Sequence, residues 1–335
     1  MSDSAPITIA AIADRLRSAG IDARIVGDEQ TLVDGLTHDS RAVATGRVFA
    51  CLRGHSFDGH EFAVQTIENG AVAVLVDHVL DGVGDCPQIV VDDTRLAVGP
   101  ASAAAWGDPA DDLTLVGITG TNGKTTTSQI VAALLDAAGL PTGVIGTLHG
   151  ERTTPEAPDL HATLAQFRDA GRQAVVMEVS SHALALHRID GTRFDIVAFT
   201  NFGHDHLDLH GSPEAYFRAK AALFTSSFAP HAVINVDDPR GRLLADTILG
   251  RTGDEAMQLT TISSDDLDEV VVGPADHSYR WMDRSVAVPL GGEFNVANSH
   301  MALSITAALP ARLGIDLDAA IRGFAGLAAV PGRFE

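Results

Sequence analysis

The chain has 335 residues, long for a single hydrophobic core, so two domains are expected. Lys and Arg total 23 against 44 Asp and Glu, a formal net charge of −21, which excludes general nucleic-acid binding through a basic face but not a local cradle for a small phosphate ligand. Hydrophobic residues at 45% and charged residues at 20% fit a globular protein, and the two cysteines, Cys51 and Cys86, supply neither a disulfide framework nor metal spacing.

The N-terminus has no basic start followed by an apolar core, and no apolar run approaches the roughly 18 residues that span a bilayer, so a cytoplasmic protein is expected. Residues 1–110 read as a small α/β domain. Residues 9–16 form an amphipathic helix that ends before Gly20, and residues 71–76 and 88–91 are buried strands. The span 37–62 is dense in polar residues, glycine and histidine and reads as loop rather than core; loops on a rigid scaffold often carry binding. Two pieces stand out there, Thr37-His38-Asp39-Ser40-Arg41 and Gly54-His55-Ser56-Phe57-Asp58-Gly59-His60. On residues alone they are either binding loops or turn chemistry, with Asp39 and Ser40 capping a turn and Asp58-Gly59 making a tight bend. An Ala-rich helix over 95–106 then meets Gly107-Asp108-Pro109, which marks the domain boundary.

Residues 111–335 form the second domain. Residues 113–118 read as a buried parallel strand, followed by a turn with Gly120, Thr121, Asn122 and Gly123. A helix opens at Thr125, with Ile130, Val131, Leu134 and Leu135 on one face and Gly139 at its end. This is a phosphate cradle. Glycines let backbone N–H groups approach an anion, the helix N-terminus and Lys124 add positive charge, and Thr125 offers a hydroxyl to Mg²⁺. The strict P-loop pattern asks for glycine where Ile118 stands, so the cradle is the shorter form TGTNGKTTT, which includes Thr126.

Residues 144–147 read as a second strand, then a polar loop through Arg152, Thr153, Thr154 and Glu156, then a helix over 160–170. Residues 174–179 read as a central strand, apolar except for Glu178, a costly position for a carboxylate unless a cation or hydrogen bonds receive it. The strand over 194–200 runs into a segment with His204, Asp205, His206, Asp208 and His210. Ser212 and Pro213 start a helix that carries Lys220. Glu178 and His206 are candidate Mg²⁺ ligands; the histidines alternatively suggest zinc or a solvated polar loop. A strand over 231–238, a meander of short polar strands over 250–290, and a helix over 298–309 entered through Phe294 and Asn295 complete the chain.

The motifs TxDSR, GHxxDGHxF, TGTNGKTTT, TTPE, MEVSSHALxxHR, FTNxxxDHLDxHG, GxFNxxN and VPGR occur in this order over almost the whole chain. Together they resemble the E-type branch of the Mur ligase family. The resemblance implies a small N-terminal α/β domain and a central P-loop ATPase-like domain with a mostly parallel sheet flanked by helices. It also implies ATP-dependent amide ligation in peptidoglycan precursor synthesis, through an acyl phosphate on UDP-N-acetylmuramoyl-L-alanyl-D-glutamate, with diaminopimelate or lysine as the incoming amino acid. His38, Ser40, His55, Ser56 and Phe57 would line the uridine-diphosphate end, and Thr153, Thr154, Ser180 and Arg188 the muramoyl peptide. Gly120 to Thr126 and Asn295 would hold ATP, with Lys124 on its phosphates. Thr125, Glu178, His206 and a carbamylated Lys220 would hold Mg²⁺. Leu186, Arg152 and His204 depart from the family's common residues. The Asp-Tyr-Ala-His and Asp-Asn-Pro-Arg motifs of a third, amine-binding domain do not occur, so a fragment, or an enzyme whose third domain comes from another chain, is expected. Competing readings are an F-type Mur ligase, a folylpolyglutamate-synthetase-like ligase, or a nucleotide-sugar-binding protein without catalysis.

Overall fold

The computed structural model describes residues 6–54, 57–203, 210–309 and 311–327. It divides into two compact units. The first runs to Asp112 and takes in Pro155–Ala170 and Leu186–Thr192; the second comprises Leu113–Thr154, Gly171–Ala185 and the chain from Arg193 on.

In the first unit, β1 (Ile7–Thr8) pairs with β3 (Leu32–Val33), and a five-stranded sheet is ordered β2 (Ala23–Val26), β7 (Gln88–Val91), β6 (Ala73–Val76), β5 (Val48–Ala50), β4 (Leu36–Thr37). All its pairings are parallel except β2 with β7. Helix α1 (Ile9–Ser18) starts where the Thr8 hydroxyl accepts the Ala11 N–H at 3.2 Å, and it buries Ile9, Ile12, Ala13 and Leu16. Those side chains share a cluster with Leu36, Val48, Leu75, Ile89 and the buried face of α3 (Thr94–Ala105). Ala157, the first residue of α5 (Ala157–Asp169), belongs to the same cluster. The other face of the sheet packs Phe49, Cys51, Val74 and Val76 against Ala63 of α2 (Ala63–Glu68). Burial of the Cys51 thiol pushes its pKa up to about 12, which makes it inert.

In the second unit, six parallel strands are ordered β13 (Gln258–Ile262), β12 (His231–Asn235), β11 (Ile196–Phe199), β8 (Thr114–Thr119), β10 (Ala174–Glu178), β9 (Thr142–Ile145). Strands β8, β10 and β11 are buried along their whole length, the pattern of a sheet covered on both faces. Helix α4 (Lys124–Ala137) packs against α9 (Glu293–Ala308) and α10 (Leu317–Arg322), with Ile130, Val131, Leu134 and Leu135 in the core. Helices α6 (Ser181–Ala185), α7 (Pro213–Ala221) and α8 (Pro239–Leu249) complete this unit, beside an antiparallel meander β14 (Leu267–Val272), β15 (His277–Trp281), β16 (Arg284–Val288). Among the described residues no helix is long and apolar enough to cross a membrane.

Three expectations need correction. The polar span 37–62 contains β5, a fully buried strand, because Val48-Phe49-Ala50 is too short to register against its polar flanks. Strand β13 of the expected meander instead extends the parallel sheet, paired with β12. Helix α9 starts at Glu293, so Asn295 lies on the helix rather than before it.

His161 on α5 is fully buried, and burial lowers its pKa from 6.5 to about 4 even though the Asp190 carbonyl lies 3.4 Å from Nε2. The unfolded chain therefore binds a proton that the folded unit refuses between about pH 6.5 and 4. Stability falls as pH drops through that window, by about 3 kcal/mol. Urea denaturation at a series of pH values should show this slope, and His161→Gln should flatten it.

Candidate functional site

Strand β8 lies at a topological switch: β10 and β9 extend the sheet on one side, β11, β12 and β13 on the other. Ligand sites of open α/β sheets form at the carboxyl ends of strands flanking such a point. Here β8 ends at Thr119, residues 120–123 turn, and α4 begins at Lys124. Gly120 has φ of 147° and Gly123 of 83°. A Cβ on Gly120 would sit 1.9 Å from Thr200 Oγ1, and one on Gly123 would sit 2.3 Å from Asn298 Oδ1. A side chain at either position would have to displace these atoms from a backbone conformation that L-residues rarely adopt.

The turn is pinned from the end of β11. The Thr121 N–H donates to the Asn201 carbonyl and the Asn122 N–H to Asn201 Oδ1, both at 2.9 Å. Thr200 Oγ1 donates to the Asn122 carbonyl at 2.7 Å. Two ammonium groups meet at this turn. Lys124 Nζ donates to the carbonyls of Gly120 and Thr121, each at 2.9 Å, and Lys220 Nζ donates to Gly120 at 2.8 Å. Lys220 is 1% exposed and lies 4.4 Å from the centroid of the Tyr216 ring. The Tyr216 hydroxyl is in turn 3.3 Å from Thr121 Oγ1. Two cations and a helix N-terminus at one glycine turn make a strongly anion-attracting locus.

An oxygen donor set adjoins it. Thr125 Oγ1 donates to Glu178 Oε2 at 2.9 Å, and the Thr147 N–H donates to Glu178 Oε1 at 2.9 Å. Glu178 is 1% exposed, and a Cβ on Gly146 would come within 2.3 Å of its Oε1. Thr154 Oγ1 donates to the Glu178 carbonyl at 2.8 Å and accepts the Ser180 N–H at 3.0 Å; Thr153 Oγ1 is 3.0 Å from Thr147 Oγ1. So the structure places Thr125 and Thr147 on the Glu178 carboxylate, Thr153 against Thr147, and Thr154 with Ser180 at the Glu178 main-chain carbonyl. A hydroxyl beside a carboxylate is the hard oxygen chemistry that suits Mg²⁺.

On the other side of the turn, a pocket of about 660 Å³ is lined by Asn122, Gly123, Thr126, Asn201, Phe294 and Asn298, among others. Asn295 is fully buried and does not line it; its Nδ2 donates to the Gly291 carbonyl at 2.7 Å and its Oδ1 accepts from Asn298 Nδ2 at 3.0 Å.

The remaining predicted residues lie in the first unit or outside the described residues. Ser40 and Phe57 line a separate pocket of about 870 Å³ with Arg41, Val43, Phe62, Gln65 and Asn69. His38 is half-buried, and its Nδ1 is buried without a hydrogen-bond partner. The Arg41 guanidinium, hydrogen-bonded to both Asp39 oxygens at 2.9 Å, holds the Asp39 carboxyl down at about 2. Arg188 pairs with Glu156 at 2.8 Å, and Arg95 reaches the same carboxylate at 3.2 Å. His55, Ser56, His204 and His206 lie outside the described residues. Sequence reasoning overlooked Thr200, Asn201, Thr147, Tyr216 and Asn298; polar side chains just past a buried strand were the available signal for the first two.

Fold and site together define a P-loop-type α/β protein. Within that class the chain belongs to the Mur ligase family: the Mur ligase middle domain matches residues 118–306, and the Mur ligase family catalytic domain matches residues 32–93. The UDP-N-acetylmuramoyl-L-alanyl-D-glutamate–2,6-diaminopimelate ligase of Streptomyces coelicolor is 40% identical, over 98% of this chain and 66% of its own length. The protein of the same name from Geobacter metallireducens is 41% identical over 90% of this chain and 62% of its own. A solved structure of a ligase of that name superposes with a TM-score of 0.79 at 30% identity, covering 98% of this chain and 68% of that one. The chain therefore spans about two thirds of the length of these relatives.

Gly123 and Gly139 bracket α4 with similar φ, 83° and 86°, but only Gly123 has an atom in the way of a Cβ. Gly139→Ala should cost about 1 kcal/mol from backbone strain alone. Gly123→Ala should cost about 3 kcal/mol, strain plus displacement of Asn298. Equal losses in urea denaturation would show that Asn298 does not constrain the turn.

Proposed function

We propose that this chain carries the nucleotide site and the muramoyl-substrate site of an ATP-dependent amide ligase of peptidoglycan precursor synthesis. The reaction extends UDP-N-acetylmuramoyl-L-alanyl-D-glutamate by its third amino acid through an acyl phosphate. The names of the relatives favour 2,6-diaminopimelate as that amino acid. The observation that carries the proposal is the convergence of Lys124, Lys220 and the Thr125–Glu178 pair on one glycine turn, in a chain so similar to ligases of that name.

ATP supplies the phosphoryl group that activates the substrate carboxylate, and Mg²⁺ neutralises the charge that collects during transfer. Gly120, Thr121, Asn122, Gly123 and Thr126 form the cradle for the phosphates, with Lys124 as their point charge. Glu178 and the Thr125 hydroxyl would hold one Mg²⁺; His206 and a carbamylated Lys220 would serve the second. Lys220, if carbamylated, keeps an N–H for the Gly120 carbonyl and gains a carboxylate for the metal. The 660 Å³ pocket takes the base. Phe294 and Asn298 face it, and Asn295 acts by fixing the Asn298 amide. Thr153, Thr154 and Ser180 steer the substrate carboxylate, and Arg188, oriented by Glu156, binds its peptide. His38, Ser40, His55, Ser56 and Phe57 receive the uridine diphosphate.

Catalysis needs no nucleophilic side chain in this reading. Both the acyl phosphate and the tetrahedral adduct gather negative charge, which fixed cations and N–H groups stabilise without reorganising.

Titration calorimetry of this chain tests the proposal. UDP-N-acetylmuramoyl-L-alanyl-D-glutamate should bind with micromolar affinity, and a non-hydrolysable ATP analogue should bind in the presence of Mg²⁺. Nucleotide binding without binding of the muramoyl dipeptide would sink the substrate assignment. Lys124→Ala should weaken nucleotide binding at least about tenfold, a loss of about 1.4 kcal/mol. Glu178→Gln should abolish the Mg²⁺ enhancement while leaving metal-free nucleotide binding intact.

A further inference from the structure

The first unit gathers metal-ligating side chains that the ligase reading does not use. His60 lies on a single 3₁₀ turn, Gly59–Phe62, and Asp77 and His78 follow directly on β6. One ligand atom from each of His60, Asp77 and His78 lies within 4.8 Å of the others.

The hydrogen bonds fix the tautomer of His60. The Asp77 N–H points at His60 Nε2 at 3.3 Å, so Nε2 is the acceptor. Nδ1 then carries the proton and donates it to Asp58 Oδ1 at 2.5 Å. A carboxylate behind one imidazole nitrogen is the arrangement that orients a metal-binding histidine. A cation at Nε2 would displace the long hydrogen bond that its single lone pair accepts from the Asp77 N–H, while the His60 side chain, only 6% exposed, keeps its ring orientation.

Distances agree with this. His60 Nε2 and Asp77 Oδ1 are 3.3 Å apart. Ligands held at about 2.0–2.1 Å in a tetrahedron are separated by about 3.3 Å. His78 Nδ1 lies 2.5 Å from the same Asp77 oxygen, the separation of a shared proton rather than of two ligands. His78 is 55% exposed and lies beyond the end of β6, so its ring can shift by the small distance required. The competing partner is Arg53, which donates to Asp77 at 2.7 and 3.1 Å; its side chain is 62% exposed and can swing into water. Once it does, Asp58 and Asp77 leave the locus net negative.

We propose that His60 Nε2, Asp77 Oδ1 and His78 Nδ1 bind a divalent cation of the zinc class, with Asp58 orienting His60 and water completing the coordination. Two imidazoles and one carboxylate suit zinc or cobalt(II) over Mg²⁺. The cation takes the place of the hydrogen between His78 Nδ1 and Asp77, and the neutral His78 ring carries its proton on Nε2 instead. The cation ties the 3₁₀ turn to the end of β6. Phe57, three residues before His60, lines the 870 Å³ pocket, so the metal would clasp one wall of that pocket.

The test is titration of the whole chain with zinc chloride, together with the visible d–d band of added cobalt(II). Because His78 is exposed, His78→Ala keeps the fold and should weaken zinc binding at least tenfold and abolish the cobalt band. Asp58→Asn should weaken binding about tenfold through loss of the oriented tautomer. Arg53→Gln should tighten it severalfold. A zinc affinity and cobalt band unchanged in both His78→Ala and Asp58→Asn would place any bound metal elsewhere, at Glu178 or among the histidines at 204–210, and would overturn the proposal.

Discussion

One carbonyl oxygen, that of Gly120, accepts hydrogen bonds from two lysines that come from different helices. Two ammonium groups on one acceptor repel each other, and one of them is buried. Such a pair is tolerable only where dipoles and π density offset it and where an anion can complete the balance. The surroundings supply the first part: the Tyr216 ring under Lys220 and the Thr121 carbonyl shared with Lys124. The geometry of the second unit follows from keeping this point in register. Gly120 must be free of a side chain, β8 must end there, and Thr200 and Asn201 must hold the turn from the neighbouring strand.

The carboxylate of Glu178 is the counterpart on the next strand. It would be prohibitive at 1% exposure without partners, and it has three donors from Thr125 and Thr147. Two of these are hydroxyls, which can turn to serve a divalent ion as ligands, while the Thr147 N–H stays on the carboxylate. The anion-attracting turn and the acidic oxygen set therefore lie side by side, joined by consecutive residues, Lys124 and Thr125.

Much of this was legible in the sequence. The turn announced itself by Gly120, Gly123 and Lys124 after an apolar run, and Glu178 by being the one charge in a central strand. What could not be read was partnership between strands. Nothing local says that Thr200 and Asn201 would grip residues 121 and 122, or that Asn298 would close against Gly123, because those contacts depend on strand order. Strand β5 was hidden for a different reason. Three residues are too few for a period to register, and only the neighbours β4 and β6 make Val48, Phe49 and Ala50 a strand. The sequence does not show that the Asn295 side chain bonds Gly291 and Asn298, since those partnerships depend on where the helix starts and on its phase.

The first unit is not continuous in the chain. Its core takes in Ala157, and its boundary extends to Leu186–Thr192, with Leu113–Thr154 committed elsewhere. A ribosome delivering this chain therefore cannot finish its amino-terminal half first. The early sheet must wait, with α1 and α3 lacking the contribution of α5, until the first two strands of the second sheet, β8 and β9, have emerged. Closing so long a loop costs entropy only logarithmically, but it makes the two folding events interdependent in time. Nascent-chain lengths that stop short of residue 157 should thus be the window in which chaperones have most to hold.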